Sequence, residues 1–343
     1  MLVSIIITNY NYQAYLREAI DSALQQTHPE VEVLVVDDGS LDDSRSIIDS
    51  YGARITPVYK TNGGHLSSVN LGFEKSHGDV AIFLDADDAL LPDAAAQHAA
   101  RLSDPSVVKS SGYLRVVDTD GRLTTHAIPG RLSPSGDYRA ATLKWGLDVY
   151  RGTFTSGNAW SRAFLTRVMP LPDRDAIDNL IGPDGYLAAV DVLFGRVESI
   201  DAPVGRYRIH GSNNGPVNFH FGAAHLRKRL ECRRRRTEFA VQTAARLGLN
   251  IDTRRFSRLN DWKLNLMNQA LTLMEQDAPP PFVEFVASPF HREPGGPVKA
   301  LVLSSCFVLV RLLPTRLALR FAHRLLRLSA ARHAVARSGR RRA

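Results

Sequence analysis

The chain has 343 residues, 44% hydrophobic and 23% charged, with a formal net charge of +8. This composition excludes a disordered or collagen-like chain and suits a globular protein with one large core or two smaller ones. Two cysteines only, Cys232 and Cys306, argue against a disulfide framework or a zinc site. The basic charge belongs to the tail: ten arginines and no Asp or Glu follow from Arg311 onward, so residues 1–310 carry 33 basic against 35 acidic groups. The chain opens on strand-like residues without a charged leader or a small-residue cleavage site, which predicts a cytoplasmic protein.

Leu2 to Thr8 is a β-branched run and reads as a strand. Asn9-Tyr10-Asn11-Tyr12 turns the chain, and Leu16, Ala19, Ile20, Ala23 and Leu24 then recur at helical spacing. Val31 to Val36 is the second strand and ends in Asp37-Asp38-Gly39-Ser40. Ser40 with Asp43 resembles a capping box that opens a short helix, which Gly52 can close. Ile55 to Tyr59 gives a third strand, Lys60 to His65 a glycine-containing turn, and a helix follows that ends near Gly78. Val80 to Leu84, five apolar residues without helical period, reads as a buried strand running into Asp85-Ala86-Asp87-Asp88. Strand and helix alternate at short spacing, so the first hundred residues predict a parallel α/β sheet with crossover helices.

In such a sheet the loops after the strands gather at one edge, where ligands bind. Three carboxylates within four residues suit a hard divalent cation, Mg²⁺ or Mn²⁺, with room left for water and substrate phosphates; a solvated acidic turn capping the next helix is the competing reading. Neither a Gly-x-Gly-x-x-Gly fingerprint nor a Gly-x-x-x-x-Gly-Lys-Ser/Thr loop is present, so the phosphates of a bound nucleotide need another counter-charge. A metal on Asp87 supplies one. An aromatic in the first loop could stack on a base, and an Asp in the second could accept from a base N–H.

Four segments together resemble family 2 glycosyltransferases, which are inverting enzymes of the GT-A fold. They are Ser4-Ile5-Ile6-Ile7-Thr8-Asn9-Tyr10-Asn11, Val35-Val36-Asp37-Asp38-Gly39-Ser40 with Asp43-Ser44, Asn62-Gly63-Gly64 with Asn70, and Gly78-Asp79 leading to Asp85-Ala86-Asp87-Asp88. The resemblance implies a nucleotide-sugar donor, usually a UDP-sugar, with Mn²⁺ or Mg²⁺ at its diphosphate. By position, Thr8, Asn9 and Tyr10 would hold base and ribose, with Asn62 also on the donor, and Asp38 would bond the uracil edge. Asp85 would lie near ribose and metal, and Asp87 would be the main metal ligand. Asp37 and Asp88 fall to supporting or capping roles.

Inversion needs a base that deprotonates the acceptor hydroxyl opposite the leaving diphosphate. The resemblance places that base at a helix start about a hundred residues after the metal motif, where Gly182-Pro183-Asp184-Gly185-Tyr186-Leu187 stands, with Asp184 as the base. Family members often carry Glu-Asp there, and Pro183 replaces the first acid; Pro suits a helix start. Asp184 as a mere helix cap is the competing reading, and Asp191 the fallback base, read otherwise as a helix-surface residue. Arg206-Tyr207-Arg208-Ile209-His210-Gly211-Ser212-Asn213 matches the segment that closes the catalytic domain in relatives, and its His210 is a candidate third metal ligand. Val116 to Arg122 predicts a hairpin turn. Thr153 to Trp160 could line the acceptor site, with Trp160 either on a sugar or in the core.

The division read from the sequence is 1–218 as a GT-A catalytic domain, 219–296 as a helical extension and 297–343 as a basic amphipathic tail. Ala300 to Val310 is apolar but too short to cross a bilayer comfortably. Beyond it, Leu317, Phe321, Leu325 and Leu328 share one helical face while Arg316, Arg320, Arg324 and Arg327 share another. Two readings stay open: an interfacial helix attached peripherally to the inner face of a membrane, or a helix packed on its own protein with a solvated basic face. The arginines are not interleaved with aromatics, so no nucleic-acid partner is expected. The acceptor would be a saccharide or a lipid-linked saccharide. Two functions of other classes compete with this one. A haloacid-dehalogenase-like phosphatase expects its Asp-x-Asp near the first strand and a Thr or Val where Ala89 stands. A non-catalytic nucleotide-sugar-binding or scaffold protein would keep the fold without turnover.

Overall fold

The computed structural model describes residues 1–145, 147, 149–210, 222–249, 262–276 and 313–335. The chain divides into two compact units, one of residues 1–142 and 148–213 and the other of residues 143–147 and 214–343.

The first unit is built on a nine-stranded sheet ordered β3-β2-β1-β4-β8-β6-β9-β5, with β7 paired to β6. Strands β1 (Val3–Asn9), β2 (Val31–Asp37), β3 (Thr56–Tyr59) and β4 (Val80–Asp85) are all parallel. They are linked by helices α1 (Gln13–Leu24), α2 (Ser44–Asp49) and α3 (His65–Lys75). Both faces of β1 are covered, which is why Ile5, Ile6 and Ile7 form an unbroken apolar run and are all fully buried. Helix α1 turns Leu16, Ala19, Ile20 and Ala23 onto that sheet, as their spacing requires. Each such side chain adds about 1.5–3 kcal/mol if large and fully buried.

Past β4 the sheet is mixed. Strand β6 (Val107–Val117) meets β7 (Leu123–Ile128) through the expected hairpin turn. It pairs antiparallel with β8 (Asn158–Ser161) and parallel with β9 (Arg196–Arg208). Two-residue β5 (Ala89–Leu90) runs antiparallel to the end of β9, fastening the acidic turn after β4 from its far side. Helices α4 (Ala94–Leu102), α5 (Arg139–Trp145), α6 (Arg162–Val168), α7 (Ala176–Leu187) and α8 (Asp191–Phe194) complete this part of the chain.

Two local expectations are corrected. Ser40 does not cap α2. Its hydroxyl donates to Asp37 Oδ1 at 2.5 Å and accepts from Asn11 N at 2.9 Å, while Asp42 Oδ1 accepts from Ser44 N at 3.0 Å. The hydroxyl proton goes to the charged Asp37 carboxylate, and the oxygen already accepts from Asn11 N and Asn9 Nδ2 (3.1 Å), which leaves it no lone pair for a helix N–H. Asp191 is not on a helix surface: it is fully buried at the start of α8, with Lys109 Nζ of β6 3.0 Å away.

In the second unit, helices α9 (Ala223–Arg246), α10 (Trp262–Gln276) and α11 (Thr315–Val335) share a core. Leu226, Leu266, Met267, Ala270, Leu273, Ala318 and Ala322 are buried there, with Phe321 and Leu325 packed against them. On α11, Phe321 and Leu325 are thus turned onto this core, while Leu317 is 48% exposed and Arg316, Arg320 and Arg324 face solvent. Ala300 to Val310, Gly211-Ser212-Asn213 and the side chains of Arg327 and Leu328 lie outside the described residues. No helix among the described residues is long and apolar enough to cross a membrane.

Candidate active site

Parallel register brings the ends of β1, β2 and β4 into one row: Asn9 pairs with Asp37, and Thr8 with both Val36 and Asp85. Asn9 Nδ2 donates to Asp37 Oδ1 at 2.7 Å, so this buried pair fastens the second loop to the first. Asp38, also buried, accepts from Gly63 N (2.9 Å), Gly64 N (2.7 Å) and the Lys60 ammonium. These bonds strap the Lys60–His65 turn across the end of β2. Thr8 is buried beneath this surface, and Tyr10 (43% exposed) and Asn62 face solvent.

The turn after β4 gathers Asp85, Asp87 and Asp88, with one oxygen from each within 4.8 Å of the others. Burial pushes the Asp87 pKa up, and the Asp85 charge adds to this against the His210 hydrogen bond. Asp88 is pushed well above the carboxylate range, first by burial and then by Asp87 and Asp85, despite bonds from Ser156 and the Arg208 amide. Burial first, and mutual repulsion of the acids second, disfavour their charged forms, and the protein's own hydrogen-bond donors do not offset the two. His210 Nε2 lies 2.9 Å from Asp87 Oδ2. Its ring is held by Tyr12, just before α1, and by Tyr15 of α1, at centroid distances of 5.7 and 5.3 Å. Three carboxylates with an imidazole in reach form an oxygen-rich donor set that fits Mg²⁺ or Mn²⁺. Asp88 Oδ2 accepts from Ser156 Oγ (2.6 Å) and Oδ1 from Arg208 N (3.0 Å), which leaves Asp85 and Asp87 the freer oxygens of the three.

Asp184 comes from the opposite side. Helix α7 is broken at Gly182, where φ is +70° and ψ 172°, a conformation that suits glycine. Pro183 then opens the second helical segment, its missing N–H costing nothing at that position. Half-buried Asp184 has its Oδ1 3.4 Å from Thr155 Oγ1. His65, at the start of α3, has its Nε2 3.2 Å from Asp85 Oδ1. Burial pulls the His65 pKa down, but Asp85, then Asp184 and Asp87, outweigh it and leave it raised. The same imidazole therefore senses the acidic turn and Asp184. Trp160, by contrast, is fully buried against Phe83 at 5.7 Å and belongs to the core.

Residues 4–159 match the family model described as "Glycosyl transferase family 2". An uncharacterized glycosyltransferase of Nostoc sp. is 33% identical over 218 residues, covering 62% of this chain and 66% of that protein. One from Rickettsia prowazekii is 48% identical over 91 residues, 26% of this chain and 29% of its own length. Residues 4–159 are a glycosyl transferase family 2 domain. The matched segments thus span two thirds or less of these relatives' lengths. In fold the chain is similar to S. aureus TarS 1-349, solved with UDP-GlcNAc, at 18% identity and a TM-score of 0.52 over 97% of this chain and 92% of that one.

Several residues that build this family 2 site escaped the sequence reading. His65 stood inside the quoted glycine turn, and its spacing from Asn62 carried no chemical signal. Ser156 joins two strand ends, accepting from Asp85 N (3.2 Å) while donating to Asp88. Arg208 reaches the carbonyl of Asp87 through Nε (3.1 Å) and Glu18 through Nη2. Such contacts join residues up to 190 positions apart, and no local pattern announces them.

Proposed function

We propose that this protein is an inverting, metal-dependent glycosyltransferase that moves a sugar from a nucleoside-diphosphate donor, a UDP-sugar in the first instance, to a hydroxyl of a saccharide or lipid-linked acceptor. The observation that carries the reading is the gathering of Asp85, Asp87 and Asp88 in one turn, with His210 Nε2 2.9 Å from Asp87, at the strand ends of a segment that matches glycosyl transferase family 2. The UDP-bound TarS structures share the fold and support UDP as the first nucleotide to try.

In this reading Thr8, Asn9, Tyr10, Asp38 and Asn62 surround the nucleoside. Asp87 and Asp85, with His210 beside them, would hold the cation, which supplies counter-charge for the departing diphosphate. Asp184, ionised, accepts the acceptor hydroxyl's proton as that oxygen bonds to the anomeric carbon. The bond from that carbon to the phosphate oxygen breaks on the opposite face, and its electrons leave with the nucleoside diphosphate. His65, 3.2 Å from Asp85 Oδ1, helps to fix Asp85. A peripheral membrane contact belongs to the same reading in an electrostatic form, through exposed Arg316, Arg320 and Arg324, and so would be released by salt.

The test is the stereochemistry of turnover. UDP-α-glucose and UDP-α-N-acetylglucosamine, incubated with the protein and Mn²⁺ with water as acceptor and followed by proton NMR, are expected to yield UDP and the β-anomer first. Initial release of the α-anomer would contradict inversion.

A further inference from the structure

Helix α7 carries a feature that the proposed chemistry does not by itself use. Asp178 and Tyr186 are both fully buried, and the Tyr186 hydroxyl donates to Asp178 Oδ1. In an unbroken helix residues eight apart are separated by about 12 Å along the axis, too far for a short Asp and a Tyr to meet comfortably. The bond exists because the chain breaks between them, at Gly182. It spans the break from the first helical segment to the second, two residues beyond Asp184.

The first segment is itself firmly placed. Asp175 caps it, accepting from Ile177 N (2.8 Å) and Asp178 N (3.3 Å). Arg174 donates to Asp178 Oδ2 from its backbone N (3.0 Å) and from Nε (2.9 Å), which balances the buried charge. Asn179 Oδ1 accepts from Leu66 N at 3.1 Å, tying α7 to the start of α3. The contact admits no side chain at Gly64, where a Cβ would lie 2.3 Å from Asn179 Nδ2. Gly64 N is one of the donors that Asp38 holds. One chain of contacts thus runs from Asp38 through the strap and Asn179 to Asp178, and across the break to Tyr186.

We propose that Tyr186, acting through Asp178, is a positioning residue that fixes the angle at Gly182 and so aims the Asp184 carboxylate. A glycine break followed by proline sets no single direction for the segment beyond it, because glycine loses more backbone freedom on ordering than any other residue. A buried hydroxyl–carboxylate bond across the break restricts that direction, and is stronger than a neutral pair because the acceptor is charged. Misplacing a catalytic group by about 1 Å can cost on the order of 100-fold in rate.

This rests on Asp184 being the base, and the test separates the two claims. In the full-length protein, UDP release from UDP-N-acetylglucosamine with Mn²⁺ is measured for wild type, Tyr186→Phe, Asp184→Asn and the double variant, with the melting temperature and UDP affinity of each. Tyr186→Phe is expected to lower kcat roughly 10- to 100-fold, with KM and UDP affinity within about 3-fold of wild type. In the Asp184→Asn background the same change is expected to have no further effect, since the aimed group is gone. A kcat for Tyr186→Phe within 2-fold of wild type overturns the positioning role. So does an equal loss in the Asp184→Asn background, which marks a general structural role. If Asp184→Asn itself turns over normally, the base assignment fails and this proposal with it.

Discussion

Asp184→Asn is expected to reduce turnover by roughly 100- to 10,000-fold, the range that a general base supplies, while leaving UDP affinity within about 3-fold of wild type. The replacement keeps the shape of the side chain and an oxygen for Thr155 Oγ1, which lies 3.4 Å from Oδ1, and removes only basicity. The break at Gly182 and the proline after it do not depend on the carboxylate's charge, so the helix should form as before. If Asp184 were only a helix cap, the amide would serve nearly as well and both kcat and the melting temperature would stay near wild type. UDP release and thermal unfolding on the same sample separate the outcomes. Retention of more than about a tenth of the rate, against the 100-fold floor for a base, would transfer the role to another group.

Lys109→Met is expected to destabilise the sheet-bearing unit by about 3–5 kcal/mol, because it leaves Asp191 buried without its counter-ion. The pair is 3.0 Å apart with side chains 1% and 0% exposed. Lys109 Nζ also lies 5.1 Å from the Tyr150 ring centroid and 5.7 Å from that of Trp160. Burial alone would lower the Lys109 pKa, yet Asp191 and Tyr150 outweigh it and raise it, so the ammonium is charged in place. Met fills nearly the same space and removes only that charge. Unfolding in urea reads the loss directly. Lys109→Met with Asp191→Leu should recover at least half of it, since removing both charges also removes the desolvation cost. A single variant within about 1 kcal/mol of wild type, the scale of an exposed pair, would show that water reaches Asp191.

The parallel half of the sheet was legible because its strands are short apolar runs punctuated by glycine and acidic turns, and each loop follows its strand at short spacing. The acidic turn was legible for the same reason: Asp85, Asp87 and Asp88 are neighbours in the chain. What makes the site was less so. His65 gains its meaning from Asp85, twenty residues on and 3.2 Å away, and Asp178 from a tyrosine reachable only across a broken helix. Asp191 was misread because its polar character predicts exposure, and only the fold reveals that a lysine from β6 meets it inside. Ser40 was misread because the capping signature ignores a carboxylate three residues before it. The tail helix showed its two faces plainly in sequence, but not that Phe321 and Leu325 join a core shared with α9 and α10.

The central claim is that the acidic turn holds a metal-bound nucleoside diphosphate, and calorimetric titration tests it without knowledge of the acceptor. UDP added to the full-length protein with Mn²⁺ should bind with a dissociation constant on the order of 1–100 μM, an ordinary small-ligand affinity. Binding should weaken by at least about 10-fold, or 1.4 kcal/mol, when EDTA replaces the metal or when Asp87→Ala replaces the wild type. UDP affinity unchanged by either would show that nucleotide binds independently of these carboxylates. Failure of folded wild type to bind UDP, GDP or dTDP with Mn²⁺ would contradict the donor site altogether.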